Sequence, residues 1–190
     1  DCGSENTAFG FKAARSNHSI RLVALGPFAG QNNNSWPNMF VGYNAGGSSS
    51  DITAEKTTAI GYNALKSVTS GSNNTALGNL ALTLNTTGAN NIAVGHAALD
   101  ANTTGVDNVS VGVNALSDCT TGDRHTAVGN QCLNAVTTGE HNCGLGFQAG
   151  LAITSGNSNI VIGIESGREI TTGGNNICIG ADSGRSNAPS

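Results

Sequence analysis

Side chains able to hold a metal or move a proton are few in this chain: four histidines, five cysteines and twelve acids among 190 residues. Acid–base catalysis needs two carboxyl groups at a fixed short separation, yet the acids share no common position in the sequence pattern described below. His18, His96, His125 and His141 are equally scattered. His125, His141 and Cys143 fall on adjacent units of that pattern and could converge on a metal, but corner and surface positions suit them better. Cys2, Cys119, Cys132, Cys143 and Cys178 are odd in number and include no C-x-x-C pair, so they read as neither a zinc site nor a disulfide framework. The expectation is a protein with no enzymatic activity, cofactor or metal.

Threonine offers a different chemistry. Thr69, Thr86, Thr103, Thr120, Thr137, Thr154 and Thr171 recur at a constant interval, and regular threonine arrays on flat solenoids can match an ice lattice. Here each threonine is followed by Thr or Ser and then Gly. The two hydroxyl residues should therefore point to opposite sides of a turn, and ice binding is the alternative rather than the leading reading. Phe9, Phe11, Phe28, Trp36, Phe40 and Tyr43 crowd the N-terminal end. Phe28, Trp36, Phe40 and Tyr43 are the candidate contact surface for sugar or for another subunit, against the plainer role of filling irregular coils.

The elements that must position these residues follow from an internal repeat. Gly61, Gly78, Gly95, Gly112, Gly129, Gly146, Gly163 and Gly180 each follow an aliphatic residue and lie 17 residues apart. Gly10, Gly26 and Gly42 precede them at 16-residue spacing, with one 19-residue step into Gly61. Residues 1–190 thus read as one domain: three irregular coils over 1–56 and eight regular coils over 57–190. Four places before the glycine stand Asn74, Asn91, Asn108, His125, Asn142, Asn159 and Asn176; three and four places after it stand Ala-Leu pairs such as Ala98-Leu99.

The segment Asn91-Ile92-Ala93-Val94-Gly95 alternates as a short strand does, and glycine supplies the backbone freedom a tight corner requires. The pattern predicts an all-β, parallel β-solenoid of about eleven coils of 16–19 residues, each with two short strands and two corners. Stacked coils turn the Asn and Thr columns into corner-stabilising ladders. The expected interior is thin: the aliphatic before the glycine, the Leu after it, and sometimes Ile or Val two places earlier. Burying each contributes about 1.5–3 kcal/mol, against about 1–2 kcal/mol per residue for ordering the backbone. The alanine column (Ala76, Ala93, Ala127) would then let another chain approach and bury more, which points to a parallel homotrimer.

The string Asn74-Thr75-Ala76-Leu77-Gly78, with Ala81-Leu82 and Asn85-Thr86-Thr87-Gly88, resembles the repeats of trimeric autotransporter adhesin heads and, more closely, those of bacterial and phage tail fibre domain proteins. The likeness covers residues 57 to 184 well and 1 to 56 loosely. It implies a left-handed parallel β-roll, commonly three chains side by side, serving as a stalk or adhesive head on a cell or virion surface. The adhesin repeat is three residues shorter per coil, and no heptad stretch accompanies the repeats.

Composition sets the remaining bounds. A net charge of −4 provides no basic surface for nucleic acid, and no apolar run is long enough to insert in a membrane. No leader-like segment opens the sequence, and neither terminus carries a capping element, which suits end-to-end stacking into a filament or excision from a longer chain. The expected partners are copies of itself and surface glycans bound through many weak contacts. The expected location is extracellular, on a cell or virion surface.

Overall fold

The computed structural model describes residues 4–15, 20–35 and 37–184. Eleven short strands form it: β1 (Thr7–Phe9), β2 (Leu22–Leu25), β3 (Asn38–Val41), β4 (Thr57–Ile60), β5 (Thr75–Leu77), β6 (Ile92–Val94), β7 (Val109–Val111), β8 (Thr126–Val128), β9 (Cys143–Leu145), β10 (Ile160–Ile162) and β11 (Ile177–Ile179). They make one parallel sheet in sequence order. Thr75 lies opposite Ile92 and Leu77 opposite Val94, so the register advances by one repeat per strand. Consecutive parallel neighbours joined by a single winding define a β-solenoid, and eleven strands at about 4.8 Å spacing make a stack roughly 50 Å tall.

The glycine that ends each of β1 to β10 is required by close approach as well as conformation. Gly78 has φ 148°, and a Cβ there would stand 2.6 Å from the Gly95 carbonyl carbon of the next coil. No side chain fits between backbones stacked so closely. This is why the glycine interval sets the winding.

Each coil carries one strand rather than the two expected. Elsewhere around the circumference the chain alternates the sign of φ, with Ala97 at 49°, Leu99 at 54° and Asp107 at 60°. An L-residue in the left-handed region costs about 1–2 kcal/mol. Inter-coil hydrogen bonds offset that cost: Leu99 N–H donates to Ala115 O (3.0 Å), Thr103 N–H to Thr120 O (2.9 Å) and Asp107 N–H to Ala89 O (3.1 Å). The coil is thus laddered to its neighbours on every side without a second regular strand.

The strand faces are inverted relative to expectation. Ala24, Ala59, Ala76, Ala93 and Ala127 are fully buried within the coil, together with Leu65, Leu82, Leu99, Leu116 and Leu133. The aliphatic residues before each glycine and two places earlier point outward, and Ile92, Ile160 and Ile177 are exposed. The winding is too narrow to hold branched strand residues and the corner leucine together, and the leucine occupies the space. The alanine column is therefore interior and offers no approach to another chain.

Candidate functional site

Two columns fix the corners, one buried and one half-buried. In the first, the side chains of Asn74, Asn91, Asn108, Asn142 and Asn159 each accept from the next coil's main chain and donate to its corner carbonyl. Asn91 N–H donates to Asn74 Oδ1 (2.9 Å), Asn108 N–H to Asn91 Oδ1 (3.0 Å), Asn159 N–H to Asn142 Oδ1 (2.9 Å) and Asn176 N–H to Asn159 Oδ1 (3.0 Å). Asn74 Nδ2 donates to Gly88 O (2.7 Å) and Asn142 Nδ2 to Gly156 O (2.7 Å). Asn6 and Asn38 occupy the same column in the irregular coils, accepting from Leu22 N–H and Thr57 N–H at 2.9 Å each. Their spacing from Gly10 and Gly42 is the signal that would have found them.

His125 takes the place of an asparagine. Its Nε2 lies 2.7 Å from Gly139 O, which can only accept, so Nε2 carries the proton and Nδ1 accepts from Asn142 N–H at 3.1 Å. Burial holds its pKa below the ordinary imidazole value, more than the hydrogen bonds to Gly139 and Asn142 and the nearby Asp123 carboxylate raise it; His141 lowers it further.

In the second column each threonine hydroxyl donates to the threonine carbonyl one coil on: Thr69 to Thr86 (3.1 Å), Thr86 to Thr103 (3.0 Å), Thr103 to Thr120 (3.1 Å), Thr120 to Thr137 (3.2 Å), Thr137 to Thr154 (3.3 Å) and Thr154 to Thr171 (3.2 Å). Those hydroxyls are half-exposed and donate along the stack.

Two outward surfaces remain. The strand face exposes two columns without a charged residue, running through Thr75 and Leu77, Ile92 and Val94, Val109 and Val111, Thr126 and Val128, Cys143 and Leu145, and Ile160 and Ile162. The corner after the glycine carries an aromatic row. The centroids of Phe11 and Phe28 lie 5.5 Å apart, Phe28 and Tyr43 5.7 Å, and Tyr43 and Tyr62 5.4 Å, the last pair stacked. Lys12 Nζ sits 5.1 Å from the Phe11 ring and 5.7 Å from Phe28.

Of the expected contact residues, Tyr43 is exposed and Phe28 half-buried in this row, whereas Trp36 lies outside the described residues. Phe40 is corrected: it is fully buried, filling the coil against Gly30 and Gly46. Phe11, one of the N-terminal aromatic cluster, and Tyr62 complete the row, and their place directly after Gly10 and Gly61 marks them.

Among the described residues no three His, Cys, Asp or Glu side chains group closely enough to hold a metal. His141 stands at the surface, 3.4 Å from Arg124, away from the internal column that holds His125. Cys119, Cys132, Cys143 and Cys178 are free. Burial pushes the thiols of Cys119 and Cys132 up to about 11 and about 12, far from the thiolate form that reacts. No helix among the described residues is long and apolar enough to cross a membrane. Compared with protein-family models, with curated proteins and with solved structures, the chain matches none.

Proposed function

We propose that this chain is a non-enzymatic structural and adhesive segment of an extracellular fibre, a stiff rod whose repeated surface binds glycans through many weak contacts. The observation that carries the proposal is the uninterrupted in-register stack of eleven parallel strands. A stack hydrogen-bonded around its whole circumference has no hinge, which suits a stalk better than a moving catalytic scaffold. The uncharged outward strand face supports a role for copies of the chain as partners, side by side as a homotrimer or end to end as a filament. Burying its β5 to β10 stretch would remove from water apolar side chains such as Ile92, Leu145 and Ile160. The aromatic row supports glycan contact, since tyrosine and phenylalanine rings give apolar area at low entropic cost.

Sedimentation of the purified chain tests the assembly: a species of two or more copies is expected, and a stable monomer at high concentration contradicts it. Replacing Ile92 and Val94 by lysine should abolish the association while the circular dichroism stays that of β structure.

The strand face also favours a second reading, ice binding. Its columns place threonine and valine or isoleucine methyls on a grid of about 4.8 by 7 Å, the rise between strands and between alternate residues. A thermal hysteresis assay separates the two. Activity residing in a monomer supports ice binding, and its absence alongside association supports the fibre.

A further inference from the structure

The structure assigns an anion-selective sugar site to a trough on the strand face where β2, β3 and β4 meet; the assignment rests on the adhesive reading above and names the ligand class. The trough has a volume of about 300 Å³ and is lined by Arg21, Val23, Pro37, Met39, Lys56 and Thr58, among others. It arises from one column of the coil. Lys56 N–H donates to Pro37 O (2.9 Å), which places Arg21, Pro37 and Lys56 at equivalent positions on three successive coils. Arg21 and Lys56 are thus two rungs apart, about 10 Å. Proline between them has no long side chain, so a gap opens with a cation on either wall.

The floor is apolar: Val23 and the exposed Met39 stand beside the Thr58 side chain. An apolar floor with cations at its sides matches a pyranose that rests a C–H face on the floor and presents a carboxylate or sulfate to the walls. The volume sits at the lower end of ligand sites, about 300–1,000 Å³, and so takes one such residue at a time. Arg21 is also paired with Glu5 at 2.8 Å through Nε, which orients the guanidinium and leaves its terminal N–H groups for a ligand. Further along the same column the comparable cation, Arg124, has no second cation two rungs away.

Other occupants fit less well. An extended peptide would need unpaired main-chain groups, and those of β2 to β4 are engaged in the sheet. Nucleic acid would meet a chain of net charge −4.

The test is titration of the whole chain, followed by nuclear magnetic resonance, with methyl glucuronide, glucose 6-sulfate and methyl glucoside. The charged sugars should bind at least about tenfold more tightly than the neutral one, and the two charged probes separate a carboxylate preference from a sulfate preference. The double variant R21Q/K56Q should lose that advantage while its melting temperature stays near that of the parent. Met39→Glu, an exposed change that puts a like charge on the floor, should do the same. Equal binding of the neutral sugar, no binding of any probe, or undiminished binding by either variant overturns the assignment. Binding of larger neutral glycans by R21Q/K56Q would leave adhesion standing without this site.

Discussion

In the coils of β4 to β8 the inward strand residue is small (Ala59, Ala76, Ala93, Ser110, Ala127) and the residue four places after the corner glycine is leucine (Leu65, Leu82, Leu99, Leu116, Leu133). Around Phe40 and Val161 the sizes are exchanged. Phe40 is flanked by Gly30 and Gly46, and Val161 by Gly150 and Gly167, at the positions leucine would hold. A Cβ on Gly30 would lie 2.8 Å from the Phe40 ring, and one on Gly150 would lie 3.0 Å from Val161. The backbone lattice fixes the cross-section of every coil, so the two inward positions must share one volume. Interiors packed to crystal density admit either partition but not both large residues together.

A double-mutant cycle at Phe40 and Gly46 should show the two positions competing for that volume. Phe40→Ala should cost about 3–5 kcal/mol through the cavity it leaves. Gly46→Leu should also cost several kcal/mol, about 3, by overpacking. The pair together should cost about 2 kcal/mol less than the sum of the two, because it recreates the alanine–leucine partition of the regular coils. Additive losses in urea unfolding would show that the two positions do not share space.

A smaller effect separates buried from exposed asparagine columns. Asn108 accepts from His125 N–H (2.9 Å) and donates to Gly122 O (2.9 Å) in a buried setting, so Asn108→Ala should cost about 1–3 kcal/mol. Asn73 donates to Asn90 Oδ1 at 3.2 Å on the exposed corner, and Asn73→Ala should change stability by less than about 0.5 kcal/mol. Equal losses in thermal unfolding would remove the distinction.

The smallest effect concerns the one imidazole in the asparagine column. Because burial keeps the folded His125 pKa below its ordinary value, the unfolded chain takes up that proton first as pH falls. The contribution of His125 is intact above pH about 6.5 and declines below it toward the folded value. Protonation also removes the lone pair that accepts from Asn142 N–H. His125→Asn should therefore flatten the dependence of melting temperature on pH between about 7 and 5 relative to the parent. Parallel pH profiles for the two proteins would contradict this.

The winding and its register were legible because a glycine backed by another backbone admits no substitute, so the interval from Gly61 to Gly163 is written by close approach. The inward direction of the strand was not. Ile92, Ala93 and Val94 alternate between two apolar faces, and alternation alone does not say which one is buried. The answer lay in the volume already taken by Leu99, which becomes visible only once the left-handed backbone turns that leucine inward. The second expected strand failed for the same reason, since positive φ at Ala97 and Leu99 breaks extension while keeping the inter-coil bonds. Phe40 stood among the candidate contact residues because aromatics cluster at the N-terminal end of the sequence. Its position two before Gly42, equivalent to Ala59 and Ala76, places it inside. The trough between Arg21 and Lys56 depends on a proline of one coil standing between cations of the coils on either side, a juxtaposition that appears only when the irregular coils are set in register.

The claim on which the rest stands is that equivalent residues rise by one strand spacing per repeat. Pulsed electron resonance between spin labels at Asn79 and, in turn, Asn130, Phe147 and Ile164 measures it, with labelled chains diluted in unlabelled ones. Separations increasing in even steps, about 14, 19 and 24 Å between backbones, are the predicted result. Distances that fail to grow with repeat number, or that scatter broadly, would contradict the stacked solenoid.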